Sequence, residues 1–494
     1  MQDIIKINPN DNVAVALRPI AKGTQIDVAG KTVTTIEDIP QGHKFAIMPV
    51  KKGDSVIKYG FRIGIAQADV AEGGWIHTHN LKTGLGELLE YTYNPTGVDV
   101  EKSDEEAYFD GYMRENGKVG VRNEVWIIPT VGCVNSIARA IEATARQNKP
   151  EGVDEVVAFP HPYGCSQTTE DQENTRTVLA DLINHPNAGA VLVLGLGCEN
   201  SRIEVLKNYI GEYNPDRVKF LQVQDVEDEQ EEAAKLMEEL MAYAANFKRE
   251  KVNAKELIIG MKCGGSDGLS GITANPTVGR FSDMLVAKGG TTILTEVPEM
   301  FGAETILMDR CANEQLFDKT VCLINDFKNY FIKNGQEIYE NPSPGNKDGG
   351  ITTLEDKSLG CTQKSGSALV RGVLAYGEKV ETKGLNLLSA PGNDLVASTA
   401  LAASGAQIVL FTTGRGTPFA SPVPTVKIST NSKLAGKKGN WIDFNCGRLV
   451  EDANMEDVSK ELFDFVLAVA SGKKVKAEEA GFHDLAIFKQ GVTL

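Results

Sequence analysis

The chain has 494 residues, 41% hydrophobic and 24% charged, which predicts a globular protein too long for one core and therefore two to four domains. The net charge of −16 argues against nucleic acid or an anionic membrane surface as a partner, but it allows a small acidic substrate. No apolar run approaches the length of a membrane span, and the eight scattered cysteines form no Cys-x-x-Cys pair. We therefore expect a cytoplasmic protein without disulfides.

The composition changes along the chain and divides it into three regions. Residues 1–95 predict an all-β domain, because short stretches such as NVAVAL and KFAIMPV alternate with Gly or polar turns. A polar, acidic linker follows from Tyr91 to Ala107. Residues 106–248 and 255–494 predict two α/β domains with largely parallel sheets, since apolar runs alternate with helix-length segments.

Four predicted strands end in a small turn that delivers a cysteine. Those ending at Cys133, Cys165 and Cys198 lie 32 and 33 residues apart, the length of one βαβ unit, and a fourth ends at Cys263. Ligands bind beyond the carboxyl ends of parallel strands, so the repeated thiols indicate one shared site. A lone cysteine is usually a small buried hydrophobe, whereas several at equivalent strand ends suit a metal ion. An iron–sulfur cluster is the weaker alternative, because the spacing matches no familiar cluster motif.

Two of the six histidines, His77 and His79, are separated by one residue. On a strand this spacing puts both imidazoles on one face, which suits a transition metal. The alternative is a pair of surface histidines at a strand end. His43, beside Lys44, is a third candidate ligand, although a histidine in such a turn more often bonds to the backbone.

Four Gly-rich polar loops could cradle an anion or a hydroxyl group, because glycines allow close approach and expose backbone N–H donors. They are residues 264–276, 341–350, 390–394 and 413–418. Arg415, in the last of them, could pair bidentately with a carboxylate. None of the loops matches a Walker or dinucleotide-binding motif.

Long motifs spread over the whole chain resemble the altronate/galactarate dehydratase family of hydro-lyases. They include GHKFA, IHTHN, GVRNEVWIIPTVGCVN, CGGSDGLSGITANP, NPSPGNKDGGITTLEDKSLGCTQKSG, LLSAPGND and GRGTP. The resemblance implies an N-terminal SAF-type β-clip domain, a second domain and a C-terminal domain. This division agrees with the one drawn from composition.

The resemblance also implies a reaction, the loss of water from D-altronate to give 2-dehydro-3-deoxy-D-gluconate in hexuronate catabolism. It implies iron(II) as cofactor, with manganese(II) as a substitute. Removal of a proton α to a carboxylate creates a doubly charged enolate that needs a divalent Lewis acid, and a hydroxyl that leaves as water needs a general acid. Two alternatives remain open: a related dehydratase of another acid sugar such as galactarate, and a non-enzymatic protein that binds sugar acids. The chain could also form a homo-oligomer.

Candidate residues can be assigned to the three roles that this chemistry requires, in a site expected between the β-clip domain and the α/β body. The candidates for metal ligands are His77, His79, His43, Cys165 and Cys198. The candidates for general acid or base are His161, Lys364 and Lys44. The candidates for contacts with the substrate carboxylate or hydroxyls are Arg415, Asn393 and Asp394.

Overall fold

A computed structural model describes residues 3–86 and 88–494 and confirms the predicted fold class. A β domain is followed by two α/β domains whose main sheets are parallel. No helix in the described part of the chain is long and apolar enough to cross a membrane.

The described part of the N-terminal domain contains nine short strands in three small antiparallel sheets, ordered β1-β2-β5-β8, β3-β4 and β6-β7-β9. Alternating residues such as Ile26 and Val28 point into its core, which is what the period of a half-buried strand requires. The strands are β1 (Ile4–Ile5), β2 (Val13–Ala16), β3 (Gln25–Val28), β4 (Lys31–Thr34), β5 (Lys44–Ala46), β6 (Ser55–Lys58), β7 (Phe61–Ala66), β8 (Trp75–Ile76) and β9 (Leu81–Lys82).

The acidic segment after β9 forms neither helix nor strand in its described residues, 83–86 and 88–107. It nevertheless packs on the C-terminal domain. The hydroxyl of Tyr91 donates to Glu304 at 2.5 Å, and that of Tyr93 donates to the carbonyl of Cys311 at 2.9 Å. The segment therefore ties the N-terminal domain to the body instead of acting as a free linker.

The second domain has a parallel sheet in the order β13-β12-β14-β15, with helices on both faces. In β12, Val125 and Ile127 face α1 and α4, whereas Trp126 and Ile128 face α2 and α3. A small antiparallel sheet, β11-β10-β16, borders this domain. The elements are β10 (Tyr108–Met113), β11 (Val119–Gly120), β12 (Glu124–Pro129), α1 (Asn135–Gln147), β13 (Val156–Ala158), α2 (Thr169–Ile183), β14 (Ala188–Gly195), α3 (Ile203–Ile210), β15 (Val218–Gln222), α4 (Glu229–Ala244) and β16 (Glu250–Asn253).

The C-terminal domain is built on a seven-stranded parallel sheet, β19-β20-β18-β17-β21-β22-β23. Its strands are β17 (Ile258–Cys263), β18 (Thr291–Leu294), β19 (Val370–Leu374), β20 (Gly384–Leu388), β21 (Ile408–Thr413), β22 (Thr425–Ser429) and β23 (Phe444–Asn445). Its helices are α5 (Ala274–Ala287), α6 (Glu304–Met308), α7 (Glu314–Lys333), α8 (Pro344–Asp348), α9 (Leu354–Cys361), α10 (Asp394–Ala403), α11 (Ser432–Lys437), α12 (Met455–Ala470) and α13 (Lys476–Glu479). Short 3₁₀-helices lie at Gly132–Val134, Val223–Asp225, Ala254–Glu256, Val297–Glu299, Thr362–Ser365 and Gly447–Val450.

Strand β17 lies at the topological switch point of this sheet. The chain passes from β17 to β18 on one side and returns later to place β21 on the other. Open parallel sheets bind ligands beyond the carboxyl ends of their strands at such a point. Cys263 is the last residue of β17, so the fold predicts a ligand site near this residue.

Candidate active site and metal-binding groups

The N-terminal domain sits on the carboxyl edge of the C-terminal sheet. Asp356, on α9, pairs with Lys44 at 2.8 Å and with Lys58 at 3.0 Å, and all three side chains are buried. Lys44 also donates to the carbonyl of Gly350 at 3.1 Å. Burial raises the pKa of Asp356, but the two lysines outweigh it and hold that pKa well below its usual range. One carboxylate of the body thus anchors two cations of the β domain.

The two histidines of the IHTHN motif lie in a turn. Strand β8 ends at Ile76, and the amides of Asn80 and Leu81 both donate to the carbonyl of His77 at 3.0 Å. The expectation that both imidazoles share one face of a strand is therefore wrong, because the chain reverses directly after Ile76. Instead they meet around Trp75, whose ring centroid lies 5.3 Å from that of His77 and 5.3 Å from that of His79.

His43 joins this group but has partners at both ring nitrogens. Its Nδ1 accepts from the indole Nε1 of Trp75 at 3.2 Å, and its Nε2 lies 3.3 Å from the carbonyl of Asp348. Its ring centroid is 5.0 Å from that of His77. This geometry favours a positioning role over ligation for His43.

His77 has a buried Nδ1 with no hydrogen-bond partner among residues 3–86 and 88–494. Burial, followed by the charges of Lys44, His43 and His79, lowers its pKa to about 4. A neutral imidazole with a free, buried nitrogen fits a metal ligand.

A second group of potential ligands lies at the end of β17. The Sγ atoms of Cys263 and Cys361 are 3.3 Å apart, and Glu299 Oε2 lies 3.1 Å from the first and 3.0 Å from the second. These three buried side chains could hold a metal ion. Neither the sequence motifs nor the strand pattern had singled out Glu299.

The thiols are surrounded by three buried lysines, which pair with the buried Glu296 and Glu299 and with the partly exposed Asp394. Lys357 pairs with Glu299 at 2.7 Å, Lys364 with Glu296 at 3.1 Å, and Lys262 with Asp394 at 3.0 Å. Burial raises the pKa of Glu299, but Lys357 and the other two lysines hold it well below its usual range. Lys364, predicted as an acid or base, is therefore enclosed in a charge-balanced network.

Glu296 fixes the turn after β18. It adopts a left-handed conformation with φ of 69°, which is uncommon for a residue other than glycine. Its Oε2 accepts from the amide of Cys263 at 2.9 Å, and its carboxylate also contacts Lys262. The signal in the sequence was the pair of glutamates in TEVPE directly after a buried strand.

The predicted substrate contacts surround the same sheet edge. Arg415 is exposed, and its backbone amide donates to the carbonyl of Gly265 at 3.0 Å. Its side chain lies close to Gly345, since a Cβ atom added to that glycine would be 3.4 Å from Arg415 Nε. Asp394 lies against Gly264, since a Cβ atom added to that glycine would be 2.6 Å from Asp394 Oδ2. Asn393 caps α10, since its side-chain oxygen accepts from the amides of Leu395 and Val396 at 3.1 Å each.

The remaining candidates lie in the second domain. His161 is buried with Nε2 2.8 Å from the carbonyl of Pro129, and its Nδ1 accepts from the amide of Tyr163 at 3.2 Å. Burial lowers its pKa to about 4. Cys165 and Cys198 are exposed in the loops that follow β13 and β14. The prediction of one shared cysteine site is therefore wrong, because the Gly-Cys strand ends belong to two separate sheets.

Comparison with known proteins identifies the family. Residues 2–84 match the altronate/galactarate dehydratase SAF domain, residues 111–245 the second domain of D-galactarate dehydratase/altronate hydrolase, and residues 254–493 the C-terminal domain of D-galactarate/altronate dehydratase. The chain belongs to the altronate/galactarate dehydratase family.

Three relatives define the relationship further. Altronate dehydratase of Bacillus subtilis (strain 168) is 56% identical over 497 residues, covering 100% of both chains. Altronate dehydratase of Escherichia coli (strain K12) is 54% identical over 492 residues, covering 99% of each. Galactarate dehydratase (L-threo-forming) of Escherichia coli (strain K12) is 33% identical over 505 residues, covering 98% of this chain and 96% of the relative.

Proposed function

We propose that this chain removes water from D-altronate and forms 2-dehydro-3-deoxy-D-gluconate, as a step of hexuronate catabolism. The observation that carries the proposal is the identity of 54–56% to two altronate dehydratases over essentially the full length of each chain. Galactarate dehydratase, at 33%, is a more distant relative. We propose the cytoplasm as the compartment, because the free thiols near the sheet edge must stay reduced.

We propose that the active site is the crevice between the histidine turn and the carboxyl edge of the C-terminal sheet. The loop of residues 341–350 supports this position, since it contacts both sides. His43 Nε2 lies 3.3 Å from the carbonyl of Asp348, and Arg415 lies against Gly345. Arg415 would pair bidentately with the substrate carboxylate through two of its guanidinium nitrogens.

We propose that His77 and His79 hold the divalent metal, which is Fe²⁺ with Mn²⁺ as a substitute. The unpartnered Nδ1 of His77 supports this assignment, and the exposure of His79 leaves room for a substrate at the same ion. When bound, the ion supplies Lewis acidity for the charge that develops on the substrate carboxylate. Trp75 and His43 would orient the two imidazoles.

Lys44 is the group we propose for proton transfer. It is paired with Ile76 in the β5–β8 ladder, one residue before His77, whereas His161 belongs to the second domain and Lys364 to the buried thiol network. Asp356 would hold the ammonium in place and Lys58 would share that carboxylate. We expect Lys44→Ala to lower kcat while the metal content stays at the wild-type value.

The buried triad of Cys263, Glu299 and Cys361 is a second candidate for the metal. Its three donor atoms lie within 4.8 Å of one another. Both thiols would lose a proton when a divalent ion binds, so the net charge of the group would not change. The three lysines and three carboxylates around the thiols would then still balance each other. A catalytic ion needs an open coordination position, and the burial of all three residues favours the histidines for catalysis.

Anaerobic chelation and reloading test the proposal. We expect the chelated protein to lose turnover of D-altronate and to recover it with Fe²⁺ under reducing conditions. Metal analysis of His77→Ala and Cys361→Ser then distinguishes the two sites. Full activity after complete metal removal would contradict the metal requirement. Faster turnover of galactarate than of altronate would favour the related dehydratase, and no elimination from any aldonate by iron-loaded protein would favour a sugar-acid-binding protein.

A further inference from the structure

Three exposed cysteines lie together at the carboxyl edge of the second domain's sheet. Cys133 follows β12, Cys165 follows β13 and Cys198 follows β14. These strands are direct neighbours, in the order β13-β12-β14. Adjacent strands of a sheet are about 5 Å apart, so the loops that carry the three thiols begin side by side at one edge of the sheet.

The loops that carry the cysteines are fastened to one another beside each thiol. The amide of Gly132 donates to the carbonyl of Tyr163 at 3.0 Å, and the amide of Ser201 donates to the carbonyl of Gly164 at 3.1 Å. The amide of Ser166 donates to the side chain of Asn200 at 3.2 Å. The three loops therefore form one fixed surface.

The loop of Cys165 is also tightly shaped. Gly164 has φ of 103°, and a Cβ there would lie 2.0 Å from the carbonyl oxygen of Thr130. Ser166, on the other side of Cys165, has φ of 55° although it is not glycine. Non-glycine residues in this region are uncommon and concentrate at functional sites. This backbone holds the thiol of Cys165 at the surface.

Exposure sets these thiols apart from the usual cysteine, which is among the most buried residue types. Polar groups accompany them: Gln224 Nε2 lies 3.8 Å from Cys198 Sγ, and Ser166 Oγ lies 4.0 Å from Cys165 Sγ. Hydrogen-bond donors near sulfur are a feature of sites that hold a metal–thiolate centre.

Helices α1, α2 and α3, which follow the three cysteines, begin near this surface. In the described part of the chain none of the three has a side-chain hydrogen bond to its N-terminal amides. The same holds for α5, α6 and α13, whereas α4, α7, α9, α10, α11 and α12 are capped by a side chain. Free amides and positive helix ends favour an anionic group. A thiolate-ligated cluster carries negative charge, so these helix ends complement the thiols.

We propose that Cys133, Cys165 and Cys198 bind a [4Fe–4S] cluster, separate from the metal site of the dehydration reaction. Each thiol gives up one proton as its sulfur bonds one iron of the cluster, and the fourth iron receives no ligand from these three residues. A single ion requires closer donors. Within residues 3–86 and 88–494, only the buried triad at β17 has three ligand atoms that all lie within 4.8 Å of one another. The sulfurs of Cys133, Cys165 and Cys198 are therefore farther apart than those three atoms.

Protein purified without oxygen tests the proposal through acid-labile sulfide, iron and visible absorption. We expect about four sulfides per chain and broad absorption in the visible range for the wild type. Cys133→Ser, Cys165→Ser and Cys198→Ser should each lose most of the sulfide and the absorption. Cys322→Ser, which changes an exposed cysteine on α7, is the matched control and should keep both.

Alkylation provides a second measurement that does not depend on the yield of cluster. In cluster-loaded protein the three thiols should resist iodoacetamide while Cys322 reacts, and removal of the cluster by anaerobic chelation should make all three reactive. Protein with iron but no labile sulfide, or with full sulfide in all three serine variants, would overturn the proposal. Equal alkylation of the four exposed cysteines in sulfide-containing protein would also overturn it. None of these results depends on the proposed turnover of altronate.

Discussion

The carboxyl edges of the two parallel sheets have similar sequences and opposite environments. Both have a cysteine after an apolar strand, and at the C-terminal sheet Cys361 is added from the end of α9. The N-terminal domain and the loop of residues 341–350 cover the edge of that sheet. There, Cys263 and Cys361 are buried among paired charges. In the second domain the corresponding edge leaves its three cysteines exposed. The surrounding tertiary structure, more than the strand-end motif, sets the chemistry of each thiol.

The largest effect is expected at the covered edge, where the histidine turn meets the body. His77→Ala should lower activity by roughly 100-fold or more and reduce bound metal in parallel. Thr78→Ala changes an exposed residue of the same turn and should leave both unchanged. Wild-type metal content in both His77→Ala and His79→Ala would show that the histidine turn does not bind the metal. The covered edge would then not owe its activity to these histidines.

Substitutions at the two sheet edges should differ in their effect on the free energy of unfolding, because the C-terminal edge contains buried ion pairs. Glu299→Gln leaves Lys357 buried without its partner and should lower the free energy of unfolding by about 3–5 kcal/mol in chemical denaturation. Cys198→Ser, at the exposed edge, should change it by less than about 0.5 kcal/mol when both proteins are measured without the proposed cluster. The double variant Glu299→Gln/Lys357→Met should recover part of the loss. An equal change for Glu299→Gln and Cys198→Ser would show that burial does not distinguish the edges.

The second domain also contains a buried carboxylate, but no cation among residues 3–86 and 88–494 pairs with it. Burial raises the pKa of Glu124, at the start of β12, to about 8, although the indole N–H of Trp126 donates to it at 2.7 Å. Between pH 4.5 and about 8 the unfolded chain ionises while the folded carboxyl stays protonated, so the unfolding free energy falls as pH rises through this range.

Glu124→Gln removes this titration and keeps an acceptor for Trp126. The variant should be more stable than the wild type at pH 8 by a few kcal/mol and equally stable near pH 4. Thermal or urea denaturation at both pH values measures the difference. A stability gap that does not depend on pH would mean that Glu124 is ionised in the folded protein, as Glu299 is at the other sheet.

The smallest effect concerns the helix that begins at the covered edge. Asn393→Ala removes the cap of α10 and should lower the unfolding free energy by about 1 kcal/mol, and Asn454→Ala should do the same at the start of α12. If Asn393 only caps the helix, the KM for altronate stays at the wild-type value in both variants. A raised KM in Asn393→Ala alone would show that this residue contacts the substrate as well.

The sequence by itself determined the N-terminal SAF-type domain, the parallel α/β sheets and the family, because strand periodicity and long motifs are local properties. The runs before Cys133, Cys198 and Cys263 are strands for this reason. It also predicted the histidines and Arg415 as site residues, an assignment that His77→Ala and His79→Ala would test for the histidines.

The tertiary structure alone decided which of these groups meet. Strand order depends on contacts between distant segments, and it places Cys263 beside Glu299 and Cys361 while it leaves Cys165 and Cys198 on another sheet. The turn after Ile76 likewise depends on Asn80, whose side chain accepts from the amide of His77 and donates to the carbonyl of Trp75. Burial and partner charges then set the protonation of each group, and both are properties of the packed molecule.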